Sequence, residues 1–254
     1  METLSNMAKC GFELISNQWE SEFFGQRIAK LQFLPAQTAL SPEFNKLEFN
    51  QGSAVWHDFD LVQCKLHADQ LSQIHQLQSL GFEFVEGELD FCLSLNQGMQ
   101  SDSGFSIAAI DDIEQLEAIF SSAFLSSRFR QPWFSAEQNS RFYRTWIRKA
   151  VLAQFDDLCL LLKNQHNEIQ GAISLRAIDS AQARVGLLAV AEHARGRGIA
   201  KQLLQSAVNW CLQQQKQQLW IATQANNRQA INLYQKQARL EQISYWFYHS
   251  KKRL

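Results

Sequence analysis

Two arginines alternate with two glycines at Arg195-Gly196-Arg197-Gly198, behind an apolar run ending in Leu187-Leu188-Ala189-Val190 and ahead of an amphipathic one, Ile199 to Trp210. Glycine lets a backbone approach a ligand closely, and a helix starting there leaves its first N–H groups unpaired. Those donors, the helix dipole and two guanidinium groups suit a pyrophosphate. The segment lacks the GK[ST] ending of a Walker loop and the G-x-G-x-x-G of a dinucleotide site, and no parallel strand–helix–strand unit is predicted around it. An arginine-rich helix start facing water is the plainer alternative.

The elements that must carry this turn are legible over residues 105–254. "FSIAAI" (Phe105–Ile110) is predicted as a strand, and Ile113, Leu116, Ile119, Phe120 and Phe124 have the spacing of a helix opened by acidic residues. A second helix is predicted over "SAEQNSRFYRTWIRKAVLAQ". Three strands follow, joined by the polar turns "NQHNE" and "DSAQ", as an antiparallel meander. After the glycine-rich turn come a helix to about Gln215, a strand "QLWIATQ", a helix "NRQAINLYQKQA" and a strand "ISYWFYHS". The fold class is α/β, a mixed sheet with helices.

Upstream, "NQGMQSDSG" (Asn96–Gly104) is polar and holds two glycines, so a domain boundary is expected there, with domains over 1–98 and 105–254. The end of the first part, "ADQLSQIHQLQSLGFEFVEGELDFCLSL", reads as a helix, a glycine stop and two short strands around Glu86-Gly87. Its layout parallels "NRQAINLYQKQARLEQISYWFYHS", with Leu77 where the later segment has Tyr234. Either the chain holds a degenerate internal duplication or two helix–strand pairs are alike by chance.

Composition bounds the rest. In 254 residues, 46% hydrophobic content supports a sizeable core, and a net charge of −1 without a basic stripe argues against nucleic acid as a partner. No run approaches the ~18–20 apolar residues of a membrane span, so no membrane insertion is expected. Five scattered cysteines without a CxxC pair suit reduced thiols in the cytoplasm. His57, His67, His75, His166, His193 and His249 show no ligand spacing, so no metal is expected. Cys159 and Cys211 lie in apolar patterns and read as core.

The pattern [Q/R]-x-x-G-x-[G/A], after a strand and opening a helix, resembles the coenzyme A loop of the GNAT N-acetyltransferases, with Arg195, Gly198 and Ala200 at its fixed positions. The order of elements over 105–254 agrees with that fold. The resemblance implies acetyl-CoA as cosubstrate, its pyrophosphate on Arg195, Gly196, Arg197, Gly198, Ile199 and Ala200. It also implies a pantetheine arm paired with Leu187, Leu188, Ala189 and Val190, and a polar contact from Asn227. Tyr234 stands in the helix where the family often places the acid that protonates the departing thiolate. A phenol, with an ordinary pKa of about 10, suits that task. Packing of an amphipathic-helix aromatic against the core is the other account of Tyr234, and a normal helix start the other account of Asn227.

Further blocks resemble one branch of the family, the dTDP-fucosamine acetyltransferases. They are "WESEFFG", "LGFEFVEGELDFCL", "SDSG", "AFLSSRFRQPWF", "RFYRTWI", "ATQANN" with Tyr234, and "YWFY". That branch has a GNAT-like N-terminal domain without its own coenzyme A loop. The resemblance implies N-acetylation of dTDP-4-amino-4,6-dideoxy-D-galactose for enterobacterial common antigen, with Glu86 as a base acting through water. By pattern alone Glu86 reads as an exposed turn residue. Arg128, Arg130, Trp133 and Arg141 can hold a nucleotide diphosphate and stack on a base or sugar, or form an amphipathic stretch of solvated arginines around a core tryptophan. Another amino sugar, a protein amine, or coenzyme A sensing without catalysis are the rival functions. A homodimer is left open as an assembly.

Overall fold

The computed structural model describes residues 11–34, 58–99 and 105–251. Cys10, His57 and "SDSG" lie outside the described residues. The chain divides into two compact units: Met1–Glu88, Gln131–Trp133 and Ile243–Leu254 form the first, and Leu89–Arg130 with Phe134–Gln242 the second. The division falls inside β4 (Glu83–Ser94) and inside β10 (Arg239–Ser250).

The described part of the first unit holds β1 (Phe12–Ser16), α1 (Gln18–Phe24), β2 (Ile28–Phe33), β3 (Leu61–His67) and α2 (Leu71–Ser79), with the first half of β4 and the last half of β10. β1 is antiparallel to β2, β2 parallel to β3, and β3 antiparallel to β10 from Ser244↔His67 to Ser250↔Leu61. Alternate side chains of β1 are buried, as one covered sheet face demands. Asn17 caps α1 by accepting the Glu20 N–H, and Gly25, in the left-handed conformation, ends it. Phe12, Leu31, Val62, Leu77 and Phe247 lie in one core; Leu77 is wholly buried there.

The second unit carries the sheet that bears the glycine-rich turn. Its strands run in the order β4–β9–β8–β7–β6–β5: β5 (Ser106–Ile107), β6 (Leu158–Lys163), β7 (Ile169–Ala177), β8 (Gln182–Val190) and β9 (Gln218–Gln224) beside the end of β4. β5 to β8 are antiparallel neighbour to neighbour, the expected meander. Its helices are α3 (Ile113–Ser121), α4 (Ala136–Val151), α5 (Ile199–Gln213) and α6 (Arg228–Tyr234). "SAEQ" at the head of α4 is a capping box: Ser135 Oγ accepts the Gln138 N–H at 3.1 Å and Gln138 Oε1 accepts the Ser135 N–H at 2.8 Å. Glu117 of α3 binds Arg148 and Arg144 of α4 at 2.6 and 3.3 Å, tying the two helices. α5 buries Leu203, Leu204, Ala207, Val208 and Cys211 against the sheet.

Four sequence expectations are corrected. β8 and β9 are parallel with α5 between them, so a parallel strand–helix–strand unit does enclose the turn. Residues 83–94 form one strand rather than two, because Gly87 takes no positive-φ turn and the chain runs on through it. The strand at 105–110 shrinks to Ser106–Ile107, since the Asp112 carboxylate accepts the Ala109 N–H at 2.9 Å and starts a 3₁₀ turn. The helix from Asn227 stops at Tyr234, whose carbonyl takes the N–H groups of Gln237 and Ala238 in a closing turn.

Candidate active site

β8 and β9 pair over only three rungs, Gln182↔Gln218 to Arg184↔Trp220, yet run on to Val190 and Gln224. Where pairing stops, a cavity of about 730 Å³ opens, lined by Leu188, Ala189 and Val190 on one side and Gln224 on the other. β8 donates the Leu187 N–H to Ser174 of β7 at 2.9 Å and, just past its end, the Ala191 N–H to the Gln170 carbonyl at 2.9 Å. Strand backbone alternates with a period of two, so the amides of Leu188 and Val190 turn away from β7, toward the gap. A strand edge is thus offered to an extended ligand.

At the cavity's other end is the start of α5. Gly198 is its N-cap at φ 79° and Gly196 stands at φ 75°, both in the left-handed region, which glycine enters without steric cost. A Cβ at either would meet nothing within 4 Å, so the conformation, not crowding, calls for glycine. No side chain caps the helix, and the first intrahelical bond runs from the Gln202 N–H to the Gly198 carbonyl. The amides of Ile199, Ala200 and Lys201 are left to an anion. Arg195, Lys201 and Arg228 line the cavity, with no carboxylate among its lining residues.

Tyr234 lines the same cavity while its ring packs edge-on against Phe91 at 5.9 Å. Both accounts of the residue therefore describe the same side chain: 5% exposed, in the core cluster, with cavity beside it. Burial pushes its phenol pKa far up, so it keeps its proton throughout the neutral range. Asn227 caps α6, its Oδ1 accepting the Ala230 N–H at 3.1 Å, and lines the cavity.

The cavity thus gathers Leu188, Ala189, Val190, Arg195, Gly196, Gly198, Ile199, Ala200, Asn227 and Tyr234 from the sequence reading. Leu187 is buried with its amide committed to Ser174, and Arg197 is exposed; neither lines it. Arg130 donates to the carbonyls of Ser126 and Ser127 at 3.2 and 3.0 Å, and Arg128 lies over the Phe129 ring at 3.9 Å. The buried Asn139 amide pins the same loop by donating to the carbonyls of Phe124 and Phe129. Arg141 is exposed on α4. Trp133 belongs to the first unit, edge-on to Tyr248 at 5.3 Å, and Glu86 is half-buried in the first-unit part of β4.

Sequence reasoning missed Ser126, Lys201, Gln224 and Arg228. For the two cations a signal existed: Lys201 and Arg228 sit in the first turns of α5 and α6, where the helix dipole disfavours positive charge, and neither turn has an acid. A cation kept there signals an anion to be bound. Burial pushes the Cys159 and Cys211 thiols up to about 12, which removes them as nucleophiles at neutral pH. Among the described residues no three His, Cys, Asp or Glu side chains gather as a metal site requires, and no helix is long and apolar enough to cross a membrane.

A mixed sheet that splays between two parallel strands, with an uncapped glycine-rich helix start beside the split, defines an acyl-coenzyme A N-acyltransferase fold. The chain belongs to the acetyltransferase (GNAT) family, whose family model matches residues 115–238. It is 38% identical over 231 residues to a dTDP-fucosamine acetyltransferase of Escherichia coli O6:H1 (strain CFT073), covering 91% of this chain and 95% of that one. Two solved structures share the fold. A GNAT-family acetyltransferase from Colwellia psychrerythraea has TM-score 0.59 and 15% identity, over 87% of this chain and 78% of that one. A tandem GNAT protein from the clavulanic acid biosynthesis pathway has TM-score 0.56 and 11% identity, over 89% and 76%.

Proposed function

We propose that this enzyme moves acetyl from acetyl-CoA to the amine of dTDP-4-amino-4,6-dideoxy-D-galactose, in the cytoplasm, for enterobacterial common antigen. The observation that carries the acetyl-CoA half is the cavity between the parted strands, with the uncapped start of α5 and three cations around it. The acceptor half rests on likeness along nearly the whole chain to a dTDP-fucosamine acetyltransferase. The first unit is read as a GNAT-like half without a coenzyme A loop: β3–α2–β4 there repeats the layout of β9–α6–β10, and a tandem GNAT protein shares the fold.

The residues fit such a cosubstrate. Amides of 199–201 and the Arg195 guanidinium hold its pyrophosphate, and Leu188 and Val190 pair with the pantetheine arm. The acceptor amine attacks the thioester carbonyl; the Leu188 amide steadies the charge that gathers on the carbonyl oxygen. The carbon–sulfur bond breaks, Tyr234 gives its proton to the sulfur, and the nitrogen's surplus proton leaves to water. Arg128, Arg130 and Arg141 are read as acceptor contacts, on residue chemistry and family likeness.

Thiol release from acetyl-CoA with dTDP-4-amino-4,6-dideoxy-D-galactose tests the whole. Turnover with this sugar, and not with peptide amines, is the expected result; binding of acetyl-CoA without turnover on any dTDP-amino sugar overturns the acceptor. Arg195→Ala should raise the KM for acetyl-CoA about tenfold with kcat unchanged, as loss of one charge-assisted contact implies. An unchanged KM would assign Arg195 to solvent.

A further inference from the structure

Behind the strand edge lies a buried polar cluster that the mechanism above does not use. Along β7 and β8 the register runs Ile173↔Leu188 and then Leu175↔Val185, so Gly186 and Leu187 together face Ser174 in a β-bulge. The Leu187 N–H donates to Ser174 Oγ at 2.9 Å, and that hydroxyl donates to Asp156 Oδ2 at 2.6 Å. Trp146 Nε1 donates to the same oxygen at 2.9 Å. Ser174 and Asp156 are 0% and 1% exposed. Asp156 Oδ1 has no hydrogen-bond partner among the described residues, so this buried carboxyl is kept at a cost. Gly186 leaves the room: a Cβ there would stand 2.2 Å from Asp156 Oδ2.

We propose that Ser174, backed by Asp156, is a positioning residue that holds the β8 bulge and so fixes which amides face the cavity. The extra residue shifts the phase of β8 by one position, and a one-residue change in phase exchanges the groups on a strand's two sides. With the bulge in place, Leu187 points its N–H at Ser174 and Leu188 points its own at the reacting carbonyl. A bulge leaves an unpaired amide, and a buried one needs an acceptor. Ser174 supplies that acceptor, while Asp156 and Trp146 fix its rotamer. The inference rests on the acetyl-CoA reading of the cavity.

The test reads the carbonyl directly. The C=O stretch of [1-¹³C]acetyl-CoA bound to the wild type should lie below its solution frequency, as a hydrogen-bonded carbonyl's does. At saturating acetyl-CoA, Ser174→Ala should return it toward the solution value and lower kcat about tenfold or more. Asp156→Asn keeps an acceptor oxygen for both donors and should preserve band and kcat; Asp156→Ala should lose both. An unmoved band in Ser174→Ala at saturating acetyl-CoA, or a kcat that stays at the wild-type value, overturns the proposal. Failure of the wild type to bind acetyl-CoA overturns the underlying reading and this one with it. A shifted band without turnover on the sugar overturns the acceptor alone.

Discussion

Tyr234→Phe should lower kcat for acetyl transfer by about a hundredfold or more while leaving the fold and the Kd for CoA unchanged. The substitution removes one oxygen and keeps the ring, whose edge-on contact with Phe91 and place in the core are therefore retained. If the side chain were only core packing, its loss of a hydroxyl would be neutral or slightly stabilising, because apolar replacement of an enclosed polar group relieves its desolvation. The two roles thus give opposite readings: a collapse of kcat at constant melting temperature, or no change in kcat. Rate against pH adds a second check. Burial raises the phenol pKa above its ordinary value, so the acid form persists throughout the neutral and mildly alkaline range. The wild-type rate should climb as the acceptor amine loses its proton and show no falling limb up to about pH 10, where an unperturbed phenol is already half ionised. A falling limb near neutrality would assign the acid to another group.

Gly186→Ala should destabilise the second unit by about 3 kcal/mol, the upper end for overpacking a filled core. The new methyl would sit 2.2 Å from Asp156 Oδ2 and 2.7 Å from Ser174 Oγ. Neither can swing aside: both are buried and tied to each other, and Asp156 is also held by Trp146. Denaturant unfolding should show the loss as a lower midpoint with an unchanged slope. Adding Asp156→Ala should restore part of it, since the double variant has room the single one lacks; strict additivity would mean that the two sites do not meet.

What the sequence discloses follows from how local each cause is. The meander over 158–191 is legible because apolar strands are cut by turns rich in Asn, Asp, Ser and Gln, chemistry that acts over four or five residues. The anion site is legible for the same reason: glycines, cations and a helix start are adjacent in the chain. The bulge is not, because Gly186 is shaped by Asp156, thirty residues upstream, and by Ser174 on the next strand. Likewise Gly87 resembles a turn glycine locally, but the strand that contains it continues unbroken. "SSRFRQPWF" reads as one cluster, yet Gln131–Trp133 belongs to a different compact unit from the arginines beside it. Adjacency in sequence there conceals a division in space.

The crossing points of the chain bear on how its gene can be cut. β4 begins in the first unit and ends beside β9 in the second, and β10 begins in the second and ends antiparallel to β3 in the first. Each half therefore lends its last strand to the other's sheet. A break at the polar stretch 96–104, the obvious place by composition, gives two polypeptides that each carry a strand the other is missing. Expressed singly, each should expose an unpaired sheet edge and precipitate; expressed together, they should reassemble by exchanging β4 and β10. The path of the chain through β4 and β10, rather than its composition, decides where it can be cut.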